Sequence, residues 1–73
     1  MDLVLLAKDN KSGVKGCPSV YMAETGELVV QGQELTETEM SAVQNPLRGE
    51  TAVRISPEIV IEAIERYRMR GQQ

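Results

Sequence analysis

The stretch that most constrains this chain consists of two short segments, rich in β-branched and apolar residues, at residues 18–23 and 27–33. Residues 24–26, Glu-Thr-Gly, join them. Two such runs around a three-residue connection that contains glycine predict a β-hairpin. A type I turn closes this hairpin when Gly26 adopts the left-handed conformation, which glycine reaches at little cost.

The predicted register gives the hairpin two apolar faces. Pairing Met22 with Leu28 sets the other pairs, so one face carries four apolar side chains: Val20, Met22, Leu28 and Val30. Strand alternation places Tyr21 and Val29 on the opposite face. A small domain has little left to cover a second face, so we expect Tyr21 and Val29 to contribute to an interface.

Composition indicates a thin core. The chain has 73 residues with no Trp, no Phe and two Tyr, whereas aromatic side chains normally bury about 150–250 Å² each. A domain of this size buries only about 60% of its unfolded surface. One cysteine and no histidine leave neither a disulfide framework nor a common zinc site to help. We therefore expect a single domain over residues 1–73 that associates with itself, as a dimer, or docks onto a partner.

Two further segments predict strands. Residues 2–8 contain a short apolar run, which is also compatible with the start of a helix because so short a run has no decisive period. As a strand, it places Leu3, Leu5 and Ala7 on one face and Val4 and Leu6 on the other. Residues 50–55 alternate as a second strand, residues 9–16 predict a loop, and Gly32 predicts a bulge or a close backbone approach.

Two helices follow from local end signals. Thr36 and Glu39 have the spacing of a capping box, and the residue before Pro46 should end this short helix. Ser56, followed by proline and an acidic residue, predicts the start of a longer helix that runs to about Arg70 and stops at residue 71. The predicted fold class is α+β: a small antiparallel sheet of three or four strands built on a central hairpin, with one short helix and a longer C-terminal helix packed on the sheet.

The longer helix carries an apolar stripe wider than one small sheet can cover. Val60, Ile61, Ile64 and Tyr67 line its main side, and Ile59 and Ala63 widen it. Part of this stripe should contact a second subunit or a partner. The predicted interface residues are Tyr21, Val29, Ile59, Val60, Ile61 and Tyr67.

Three arginines, Arg66, Arg68 and Arg70, lie near the end of the same helix. Cations there suit the helix dipole, and Glu62 with Arg66 forms a favourable i,i+4 pair. The alternative is a local DNA-binding face. A net charge of −3 and a pI near 4.8 argue against a nucleic-acid surface over the whole domain.

Residues that could support catalysis are few. Cys17 is the one nucleophile, and Lys15 is the only basic residue close to it in sequence, although a reactive thiolate needs a base or cation beside it. Packing as a small hydrophobe is the simpler role for Cys17, with an intersubunit disulfide or a redox role as alternatives. Glu34, Glu37 and Glu39 could form a cation site but are explained by a capped helix start. We predict no catalytic residue, no metal and no cofactor.

The apolar run at residues 3–7 follows an aspartate and is too short for a signal peptide or a membrane span. With one unpaired cysteine as well, we expect a cytoplasmic protein that does not enter a membrane.

Several short motifs within residues 17–55 occur together in a known group of proteins: Cys17-Pro18, Val20-Tyr21, the Gly26 turn, Val29-Val30-Gln31-Gly32 and Gly49-Glu50-Thr51. In these motifs the chain resembles small acidic actinobacterial proteins whose genes accompany helix-turn-helix regulators, related in style to the BldB-type developmental regulators. The resemblance implies a small dimeric accessory protein that acts through protein contacts in transcriptional or developmental control, and it carries no catalytic signature.

The sequence therefore favours a non-enzymatic protein-interaction module that associates with itself and modulates a transcriptional or developmental regulator. The alternative is a small dimeric DNA-binding protein that uses the arginines of the C-terminal helix.

Overall fold

The structure is a computed structural model that describes residues 1–10 and 17–70. Its elements in chain order are β1 (Leu3–Lys8), β2 (Ser19–Ala23), β3 (Leu28–Gln31), β4 (Gln33–Glu34), α1 (Glu37–Met40), β5 (Val53–Arg54) and α2 (Pro57–Arg70). The main sheet has the order β1-β2-β3, and β4 and β5 form a separate two-stranded sheet. All these pairings are antiparallel. The predicted α+β class is confirmed, with three strands in the main sheet.

The hairpin of β2 and β3 forms as predicted. Gly26 has a φ of 92°, and its amide donates to the carbonyl oxygen of Ala23 at 2.9 Å. The predicted register is also confirmed, with the pairs Val20–Val30 and Met22–Leu28. The left-handed glycine therefore closes the turn in the register that separates the two apolar faces.

β1 pairs with the other side of β2, but its register shifts between Leu5 and Ala7. Leu6 is the extra residue of this bulge, which interrupts strand alternation. Leu6 and Ala7 are both only 1% exposed and lie in one buried cluster, whereas Leu5 is 48% exposed. The predicted grouping of Ala7 with Leu3 and Leu5 is therefore wrong, because the bulge turns Ala7 to the buried side.

α2 packs across β1 and β2, on the face that carries Val20. The buried apolar cluster consists of Leu6, Ala7, Val20 and Ala63, with Met22, Ile55 and Ile59 partly buried against it. Leu6 and Val20 are the large apolar side chains among the fully buried ones. The core of the described residues is thus thin, because its other members are mainly alanines.

Both helix starts follow their sequence signals. The Glu39 amide donates to Thr36 Oγ1 at 3.2 Å and the Thr36 amide donates to Glu39 Oε1 at 2.8 Å, which confirms the capping box. α1 ends at Met40, earlier than the predicted end before Pro46. α2 begins at Pro57 and reaches Arg70. Its predicted stop at residue 71, like most of the predicted loop at 9–16, lies outside the described residues.

Ser56 stabilises the start of α2 by hydrogen bonds that differ from those of a simple N-cap. Its hydroxyl donates to the carboxylate of Glu58, and its carbonyl oxygen accepts from the Ile59 amide at 3.1 Å. The acidic residue of the first turn is therefore held by the serine that precedes the helix.

The strand predicted at residues 50–55 is reduced to β5, which pairs with β4 rather than joining the main sheet. Gly32 lies at the junction of β3 and β4, where an added Cβ would be 2.5 Å from the carbonyl oxygen of Arg54. The predicted close backbone approach at Gly32 is confirmed. Arg54 also forms an ion pair with Glu39, which links the small sheet to α1.

Leu6→Ala should lower the free energy of unfolding by about 2–5 kcal/mol, because Leu6 is one of the two large apolar side chains that are fully buried among the described residues. Leu5→Ala is the matched control, since the same change is made one position away at an exposed side chain. Urea unfolding followed by circular dichroism measures both. Equal losses for the two variants would contradict the bulge.

Candidate functional site

The described residues leave many large apolar side chains in contact with solvent. Contiguous apolar patches on a monomer commonly mark interaction sites. Two such patches lie on opposite sides of the main sheet.

The first patch is the outer sheet surface, formed by Leu3, Leu5, Tyr21 and Val29. Leu5 pairs with Tyr21 and Tyr21 pairs with Val29, so these three side chains form a row across all three strands on the face opposite α2. Leu5 and Leu3 are 48% and 42% exposed, and Tyr21 and Val29 are half-buried. The row is an apolar face without a covering layer among the described elements.

Tyr21 is held in place on this surface by its hydroxyl. The Tyr21 Oη–H group donates to Gln31 Oε1 at 2.8 Å, so the polar end of the ring already has a partner within the chain. A tyrosine in this state offers its apolar ring to a partner at little entropic cost, which is one reason that tyrosine is enriched at interfaces.

The second patch is the helix flank surface, formed by the exposed residues Val60, Ile61 and Tyr67 of α2. Val60 and Tyr67 are seven residues apart and therefore share a face of the helix. Ala63 is completely buried and Ile59 is partly buried against the core, so the core-facing side of α2 is centred on these two residues. The residues predicted to line the main side of the apolar stripe instead lie at the edge of the contact between α2 and the sheet, or face away from the sheet.

The structure thus separates the predicted interface residues. Tyr21 and Val29 are cross-strand neighbours, three others lie on the helix flank surface, and Ile59 packs against the core. Leu3 and Leu5 were not predicted to take part. Their signal would have been the pairing of β1 with the hairpin, which places Leu5 beside Tyr21.

The arginines of α2 do not form one basic patch. Arg66 Nη1 donates to the carbonyl oxygen of Leu6 at 3.1 Å, and Arg66 Nη2 lies 3.0 Å from Glu62 Oε1. Arg70 is four residues beyond Arg66 and shares its face of the helix, whereas Arg68 lies about 200° around the helix from Arg66. Arg66 therefore fastens α2 to β1 through the bulge, and Arg68 lies on a different side from the other two arginines.

Within the described residues, no group of three or more Cys, Asp and Glu side chains is arranged to hold a metal ion. Cys17 is a free, half-buried thiol. No described helix has the length and apolar character needed to cross a bilayer.

Comparisons of the chain with models of protein families, with curated proteins and with solved structures gave no match. The two apolar surfaces are therefore the structural basis for a functional proposal.

Arg66→Met should lower the free energy of unfolding by about 1 kcal/mol, because the Leu6 carbonyl at the bulge loses its charged donor. Arg68→Met, which makes the same change on another side of the helix, should have an effect near zero. Thermal and urea unfolding of both variants measures the difference. Equal stability of the two variants would show that Arg66 has no structural role.

Proposed function

We propose that this chain is a small non-enzymatic protein-interaction module, which associates with itself and modulates a transcriptional or developmental regulator. The outer sheet surface supports this proposal most directly. It offers a row of three apolar side chains across the whole sheet, while Leu6 and Val20 are the large apolar side chains fully buried among the described residues.

A partner that covers the outer sheet surface would bury additional apolar area and so stabilise a domain whose own core is thin. Each Å² of apolar surface removed from water contributes about 25 cal/mol. Leu3 and Leu5 keep close to half of their surfaces exposed, and Tyr21 adds an aromatic ring whose hydroxyl is already hydrogen-bonded. Rigid aromatic and aliphatic side chains at the centre of a patch are the usual anchors of protein interfaces.

The proposed partner is a helix-turn-helix regulator. The resemblance of residues 17–55 to accessory proteins encoded beside such regulators supports this class of partner. The same resemblance supports a cytoplasmic location, since such regulators act on DNA. The regulator would bind the outer sheet surface.

DNA binding by α2 has less support than protein binding. The net charge of the chain is −3, and Arg66 is hydrogen-bonded to Leu6 and paired with Glu62. Phosphate contacts require a contiguous basic stripe. Arg66 and Arg70 share a face of α2, but Arg66 is already bound to Leu6 and Glu62, and Arg68 lies on another side.

Self-association predicts a solution mass of twice 8.1 kDa at micromolar concentration, measured by sedimentation equilibrium. The melting temperature should rise with protein concentration, because assembly stabilises the folded state by mass action. A mass of 8.1 kDa at every concentration, together with a constant melting temperature, would contradict self-association.

Leu5→Lys should weaken binding to the proposed helix-turn-helix regulator, recovered by pull-down from the native host, by at least about tenfold, because a charge at the centre of an apolar contact must be desolvated. Ile61→Lys, which places the same charge on the helix flank surface, is the matched control. Isothermal titration calorimetry with the purified regulator measures both affinities. Equal affinity of Leu5→Lys and the wild type would exclude the outer sheet surface as the binding site.

A further inference from the structure

The two edges of the main sheet differ in how they are protected. β1 carries a bulge at Leu6, and Arg66 donates to the carbonyl oxygen of that residue. β3 pairs only with β2 among the described strands, and Leu28–Gln31 contains no proline and no charged residue. Bulges, charges and prolines are the devices by which proteins block edge strands. The β3 edge therefore has none of the protection that the β1 edge has.

The hydrogen-bond pattern of the hairpin shows which groups of β3 face this open edge. The Ala23 amide donates to the Glu27 carbonyl at 2.8 Å, so this pair is hydrogen-bonded and the following pairs alternate. Tyr21 and Val29 then form the next hydrogen-bonded pair. Leu28 and Val30 consequently direct their N–H and C=O groups away from β2, toward the open edge.

We propose that β3 pairs in antiparallel fashion with β3 of a second copy of this chain, about a twofold axis at Val29, to form a six-stranded sheet. The proposal rests on the self-association proposed above and specifies its interface. Leu28 of each copy lies opposite Val30 of the other, and these two pairs supply four backbone hydrogen bonds. Val29 faces its own counterpart across the axis.

The chemistry of β3 suits a second copy in particular. A strand that pairs with itself about a twofold axis brings identical residues close together, and like charges opposite each other are destabilising. β3 has no charge to oppose. Leu28 and Val30, which are both exposed on the inner face beside α2, would shield each other across the junction.

The positions of Gly26 and Gly32 select this register over the others. Directly opposite residues must point to the same face, so the axis falls on one of the four residues of β3. An axis at Leu28 would require pairing at Gly26 of the turn, and an axis at Gln31 would require pairing at Gly32. An axis at Val30 would require pairing at Gly32, where the Arg54 carbonyl already approaches the backbone. An axis at Val29 uses only Leu28–Val30 and leaves that contact undisturbed.

Pairing in this way also joins the two outer sheet surfaces. A twofold axis perpendicular to the sheet keeps both α2 helices on one face. On the other face, the rows of Leu5, Tyr21 and Val29 from both copies become continuous, with Val29 beside Val29. The regulator would then meet an apolar platform twice as wide as that of a single copy.

Cross-linking tests the register, with Cys17→Ser as the background. In the proposed register, Val29 and its counterpart form a non-hydrogen-bonded pair. The Cα atoms of such a pair lie about 4.5 Å apart, which is within the range that a disulfide can bridge. Val29→Cys should therefore give a disulfide-linked dimer on mild oxidation, read by non-reducing electrophoresis and mass spectrometry. Leu5→Cys is the matched control. Leu5 lies on the same face of the sheet but on β1, two strands further from the twofold axis than Val29, so Leu5→Cys should not form a cross-linked dimer.

Other cross-linking results would overturn the proposal. Efficient cross-linking of Leu5→Cys, with or without Val29→Cys, would mean that the outer sheet surfaces stack on each other, so that self-association stands while the β3 interface fails. A dimeric mass without cross-linking of either variant would also exclude the β3 interface. A monomeric mass in sedimentation would remove self-association itself.

Val30→Pro provides an independent measurement. Proline removes an N–H group that points to the open edge and leaves the β2–β3 ladder intact. It should raise the dimer dissociation constant roughly tenfold or more, with the circular dichroism spectrum retained. A folded Val30→Pro variant that dimerises as tightly as the wild type would overturn the proposal.

Discussion

The bulge at Leu6 is the feature on which the arrangement of both layers depends. A bulge adds one residue to a strand and interrupts the alternation of its side chains. Here it turns Leu6 and Ala7 into the same buried cluster as Ala63. It also brings the Leu6 carbonyl within reach of Arg66. α2 is therefore fastened to β1 by apolar packing and by a charged hydrogen bond at one point.

This attachment decides which surfaces stay open. The outer strands of a three-stranded sheet lie about 10 Å apart, and a helix with its side chains is about as wide, so a centred helix would cover most of one face. α2 instead packs on β1 and β2, and Leu28 and Val30 of β3 remain exposed. The opposite face has no covering layer among the described elements. The apolar surfaces thus result from where the helix is placed.

The sequence predicted the parts of the fold that short-range signals determine. The turn glycine, the capping box and the proline at the start of α2 each act within a few residues, and the hairpin register that follows placed Tyr21 and Val29 together. The bulge could not be predicted, because residues 3–7 are all apolar and alternation carries no information in such a run. For the same reason, the sequence did not identify Leu3 and Leu5 as residues of an exposed apolar surface.

The apolar stripe of α2 was centred on the wrong residues, because hydrophobicity ranks Ile64 and Tyr67 above Ala63. Ala63 is completely buried and lies in one cluster with Leu6, Ala7 and Val20 of the sheet. The contact between the two layers therefore contains a side chain of one methyl group. A larger side chain at this position would push the helix outward and carry Arg66 away from the Leu6 carbonyl. The size of a residue in the helix thus controls how well a strand edge in the other layer is shielded from foreign strands.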